Sequence, residues 1–153
     1  DMNWLPVRDG DERAFAIMQR HYTYQPYADG RRRDLSNPAR RLFVGPGEKM
    51  VLLLADCRAL FVWRKFISLD ATQTGVNCAV FRNESDLLSS DLILEAEQLA
   101  WHRWPGERLY TYVNPRKVLS QNPGYCFKSA GWQVCGHSRR GLLILEKYSE
   151  KPQ

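Results

Sequence analysis

At 153 residues, 44% of them hydrophobic and 25% charged, the chain is sized for one domain with a packed core. A formal charge of +5 by itself favours a merely solvated basic loop, whereas its clustering at residues 31–33, 40–41 and 139–140 suits a polyanionic partner. No apolar run approaches the roughly 20 residues that cross a bilayer. The polar, acidic opening DMNWLPVRDGDERAF argues against a secretory signal and predicts a cytoplasmic protein.

In chain order, WLPVR (residues 4–8) predicts a short edge strand. In residues 11–22, DERAFAIMQRHY, Phe15, Met18 and Tyr22 fall at helical spacing with Ala14 and Ile17 beside them. Acids in the first turn suit the helix dipole. Residues 23–41 dissolve into Pro, Gly, Asn, Asp and Arg, and predict a long loop of the kind that carries function or motion. RLFVGPGEK, MVLLLAD and ALFVWRKF then read as antiparallel strands joined by tight turns at GPG and ADCR, with GVNCAVFRN as a fourth strand. GPGEK lacks the spacing of a phosphate loop and reads as a hairpin turn. Residues 89–104, SSDLILEAEQLAWHRW, form the strongest helix pattern. Ile93, Ala96, Ala100 and Trp104 share one face, a serine serves as N-cap, and PGE follows as a stop. RLYTYVN is a strand, NPGYCFKSAG a short helix ended by Gly131, and WQVCG with GLLILEKY a closing hairpin. The order β-α-β-β-β-α-β-α-β-β is α+β, a mixed but mostly antiparallel sheet with helices on both faces.

Cys57, Cys78, Cys126 and Cys135 include no closely spaced pair, so no metal site is expected from them and reduced thiols are. Of the three histidines, His102 reads as surface and His137 as part of the late hairpin turn. His21 borders the Arg-rich loop at the end of the first helix. That place suits either a general base or a cation capping the helix C-terminus.

This element order, with FKSAGW at residues 127–132, resembles the GNAT superfamily of acyl-CoA-dependent N-acyltransferases over nearly the whole chain. FKSAGW is similar to the tyrosine-x-lysine-x-glycine-aromatic run that ends the family's last helix. Within the superfamily, RHY (20–22), FRNES (81–85), SSD (89–91) and NPGYCF (122–127) resemble the phage DNA-modification proteins of the Mom type.

The resemblance implies a single GNAT-like domain that transfers an acyl-derived group from acetyl-CoA to a nucleobase amine in phage or host DNA; the sequence is compatible with a monomer or a homodimer. His21 or Asp91 would take the amine proton, and Tyr22 or Tyr125 would act as acid or orienter. Arg82, Asn83, Ser89, Ser90 and Asn114 would meet the cofactor. Arg31, Arg32, Arg33, Arg40 and Arg41 would hold the phosphate backbone, while Tyr24 and Tyr27 stack an extruded base. Two positions depart from the family pattern. RNESDLLSSD has no glycine where the family cradles a pyrophosphate, and it places Glu84 and Asp91 there. Phe127 stands where many members carry a proton-donating tyrosine. A transferase acting on a small amine or a protein lysine, and a non-catalytic binding protein of the same fold, are the alternatives.

Overall fold

Strand β2 (Glu48–Leu54) turns Leu52 and Leu54 to one side and Val51 and Leu53 to the other. β3 (Ala59–Lys65) divides in the same way, with Ala59, Phe61 and Trp63 opposite Leu60 and Val62. Both sides are buried, which is why these strands read as continuous apolar runs rather than as an alternation.

The computed structural model describes residues 2–21, 41–66, 73–117 and 122–150, and the elements within them follow the expected order. The others are β1 (Trp4–Val7), α1 (Glu12–Met18), β4 (Val76–Asn83), α2 (Ser89–Arg103), β5 (Leu109–Val113), α3 (Tyr125–Ser129), β6 (Gln133–His137) and β7 (Leu143–Lys147). They build one open seven-stranded sheet in the order β1-β2-β3-β4-β5-β7-β6. All neighbours are antiparallel except β4 and β5. β1 is an edge strand, as its sequence suggests.

Helices cover both faces. Ala14, Ile17 and Met18 of α1 pack on Val51, Leu53, Leu60, Val62 and Val80. The larger cluster lies opposite, where Leu92, Ile93, Ala96 and Ala100 of α2 meet Phe61, Trp63, Phe127 and Trp132. Trp63 stacks on Trp132 at 6.3 Å, and its Nε1 donates to the Ala96 carbonyl at 2.9 Å.

Several local expectations are corrected. α1 stops at Met18 rather than reaching residue 22, because Arg20 N–H and His21 N–H close back on Ile17 and Met18 in a tighter turn. The stretch RLFV is no strand. The Asp9 carboxylate accepts from Phe43 N–H at 3.0 Å and Val44 N–H at 3.3 Å, replacing a strand partner, so GPG leads into β2 instead of turning a hairpin. Neither serine caps α2. Leu88 is its N-cap without a side-chain bond, while Ser89 Oγ accepts from Asn83 Nδ2 at 3.0 Å. His137 is the last residue of β6, opposite Leu143, rather than part of the turn.

The apolar face of α2 also holds Glu97, only 1% exposed. Its carboxylate accepts from Lys147 Nζ at 2.7 Å and Trp132 Nε1 at 2.8 Å, and Lys147 Nζ also donates to the Ala130 carbonyl at 2.6 Å. These bonds tie α2 to β7 and to the turn after α3. Among the described residues no helix is long and apolar enough to cross a membrane.

Candidate functional site

β4 and β5 pair at Val76–Leu109, Asn77–Tyr110 and Cys78–Thr111, and then part, although β4 runs on to Asn83 and β5 to Val113. The parting coincides with a bulge. Val62 faces Val80 and Trp63 faces Cys78, so Ala79 is an extra residue on β4. A cleft of about 140 Å³ opens there, lined by residues 78–81 of β4, 111–113 of β5, and Gly124, Cys126 and Phe127 at the start of α3. His21 completes it, carried there by the turn after α1.

His21 is only 8% exposed and is hydrogen-bonded to the backbone at Phe81. Burial, then the positive charge of Arg82, lowers its pKa to about 4, so the ring is neutral at pH 7. It therefore does not act as a cation capping α1. Cys78 and Cys126 face the same cleft, and burial pushes both thiols up, away from the reactive thiolate. The Cys78 carbonyl accepts from Thr111 Oγ1 at 3.0 Å, linking β4 to β5 where their pairing ends. Gly124 holds a left-handed φ of +78°, and a Cβ there would lie 3.2 Å from both Leu145 methyls.

Beside the cleft, Glu84 sits between two arginines. Arg20 donates through Nε and Nη2 at 2.7 Å each, and Arg82 Nε donates to the same carboxylate at 2.6 Å. Hydrogen bonds from Arg20, then from Arg82, hold the Glu84 pKa at about 2. Arg58 Nη2 donates to the Glu84 carbonyl at 2.9 Å. The expected negative charge at Glu84 is thus present but paired.

Of the expected catalytic residues, His21 alone among the described ones lines the cleft. Asp91 lies exposed in the first turn of α2, and Tyr125 is 63% exposed at the start of α3. Among the expected cofactor residues, Arg82 is taken up with Glu84. Asn83 is occupied within its own loop, giving Nδ2 to Leu87 O and Ser89 Oγ and accepting from Ser85 at Oδ1. Ser90 follows Ser89 in the first turn of α2. Asn114 Oδ1 accepts from Arg116 N–H at 3.0 Å in the turn after β5. Arg41 pairs with Glu12 at 2.9 Å. Tyr22, Tyr24, Tyr27, Arg31, Arg32, Arg33 and Arg40 lie outside the described residues.

Arg20, Glu84, Cys78 and Thr111 join the site. Glu84 was expected only as a charge opposing a pyrophosphate, and the other three had no expected role. The signal available for the first two was charge spacing, an Arg–x–Glu at residues 82–84 with Arg20 preceding His21. Cys78 and Thr111 look like ordinary strand positions.

No protein-family model, curated protein or solved structure matches this chain. Fold and cleft define an α+β protein whose open, mostly antiparallel sheet parts at its one parallel seam, with a neutral histidine facing the gap.

Proposed function

We propose that the chain is a GNAT-like transferase that places an acyl-derived group on a nucleobase amine in DNA. The observation that supports this best is His21, neutral at pH 7 and facing the cleft where β4 and β5 separate. An amine must lose a proton as it attacks, and the neutral imidazole facing the cleft has the lone pair to accept it, as a weak base while its pKa stays at about 4. Thr111, Cys78 and the β4 bulge hold the walls, while Phe81 and Phe127 keep that end apolar. The excess of Arg and Lys over acids favours an anionic acceptor such as DNA over a small amine.

Acetyl-CoA is the donor implied by the resemblance, but the loop after β4 does not fit the amide cradle by which such enzymes hold its pyrophosphate. Ser85 N–H is taken by Asn83 Oδ1 and Leu87 N–H by Ser85 Oγ, and Glu84 adds a carboxylate. That occupied loop favours a second reading, a binding protein of the same fold that takes no donor.

Mass spectrometry of nucleosides from bacterial DNA after expression, with His21→Gln as control, tests the transferase. The expected result is a new adduct absent from the control. An unmodified profile from folded, abundant protein would remove DNA as the acceptor. A thermal shift with acetyl-CoA then separates a small-amine transferase, which it stabilises, from the binding protein, which it leaves unchanged.

A further inference from the structure

The turn that brings His21 into the cleft also aims Arg20 at Glu84, and the strand that supplies Phe81 to the cleft supplies Arg82 next to it. Arg20 presents the two-pronged fork that matches a carboxylate or a phosphate equally well. Glu84 fills that fork at present. Its side chain is 26% exposed and those of Arg20 and Arg82 are 49% and 37% exposed, so water reaches the whole cluster. The two-pronged, networked geometry makes this pair firmer than a lone surface bridge. Salt and water still reach it, and an incoming anion of higher charge competes with a single carboxylate for the same fork. Arg58 adds a third cation through the Glu84 carbonyl and reaches Asp86 at 3.4 Å. Three arginines thus meet two carboxylates, leaving one positive charge in excess even with Glu84 in place.

We infer that Arg20 and Arg82 form a phosphate-group site at the mouth of the cleft, with Glu84 as a built-in carboxylate that a phosphate ester displaces. This rests on the cleft being a ligand seat, and on no transfer step. It also supplies by side chains what the occupied loop after β4 does not supply by backbone amides. Two sources carry the required group: a phosphorylated donor such as coenzyme A, or the backbone of a nucleic acid whose base enters the cleft.

Titration calorimetry with inorganic pyrophosphate at low salt tests the site. Glu84→Gln should tighten binding about tenfold, the scale of one charge-assisted contact. Asp86→Asn makes the same charge change close by and should alter it less than twofold, while Arg20→Gln added to Glu84→Gln should return it to the wild-type level. Equal tightening by Asp86→Asn, or none by Glu84→Gln, overturns the inference. Circular dichroism checks folding, and Glu84→Ala repeats the comparison if Glu84→Gln misfolds. Coenzyme A and a short single-stranded oligonucleotide then identify the source. Whichever responds to Glu84→Gln carries the phosphate, and a response from neither overturns the link to the cleft. None of these readouts depends on the nucleoside adduct, so loss of the transferase reading leaves the phosphate site to be judged separately.

Discussion

Glu97 accepts from Lys147 and Trp132 inside the protein, whereas Glu84 accepts from Arg20 and Arg82 at its surface, and their titrations move in opposite directions. At Glu97 burial outweighs the partners and pushes the carboxyl up. At Glu84 the partners win and hold it at about 2. A buried ion pair is rigid and costly to break, because removing either partner strands the other without water. An exposed one is cheap to open. The contrast separates a glutamate that holds the fold from one placed to yield.

The sharpest way to break this comparison is Glu97→Ala. It takes the acceptor from the buried Trp132 indole N–H and the counter-charge from Lys147, which keeps only the Ala130 carbonyl, and should cost about 3–5 kcal/mol in urea unfolding. Replacing the pair together, Glu97→Leu with Lys147→Met, should recover most of that loss. A cost below about 1 kcal/mol for the single change would place Glu97 with the surface pairs.

His21 gives the next largest effect. Its folded pKa of about 4 lies below the unfolded 6.5, so between these values the unfolded chain binds more protons. Stability should therefore be flat above pH 6.5 and fall as pH drops toward 4, by up to about 3 kcal/mol. His21→Gln should flatten that limb in a pH series of denaturant melts. Gly124→Ala comes third, at about 1–2 kcal/mol, since alanine must adopt a positive φ against Leu145.

Glu84→Gln should be smallest, at most about 1 kcal/mol at pH 7 and shrinking with added salt. Glu84 contributes its stability fully above pH 4.5, and that contribution is lost as pH falls through about 2. Its acid limb thus lies below that of His21, and a series run with each variant resolves the two. A Glu84→Gln loss as large as that of Glu97→Ala would erase the distinction between the clusters.

Element order was open to reading because apolar spacing reports it directly, as in MVLLL and ALFVW for doubly covered strands and Ile93–Ala96–Ala100 for the α2 face. What escaped involved partners distant in the chain. Asp9 keeps RLFV out of the sheet from 34 residues away, and Glu97 reaches Lys147 across 50. Glu97 did leave a trace, since it sits beside Ala96 and one turn after Ile93, within the stripe. His21 was legible from its place between helix and loop, but its lowered pKa depends on burial and then on Arg82, and only folding supplies either. The cleft itself was invisible. VNCAVF reads as simple alternation, which would put Cys78 and Val80 on one face, whereas they belong to opposite clusters.

That last discrepancy constrains how the gene can vary. Ala79 is a phase shift in β4: positions before it obey one parity and positions after it the other. Losing that single residue would make Cys78 and Val80 neighbours in plain alternation. Phe81 would keep its contacts with Phe61 and Phe127 and Arg82 its place beside Glu84, while the bulge at the parting of β4 and β5 vanished. The strand's register with β3 tolerates the loss, but its departure from β5 does not. A codon deletion here would straighten β4 and remove the kink at which the cleft opens, while the aromatic wall and the arginine pair stayed on their own faces.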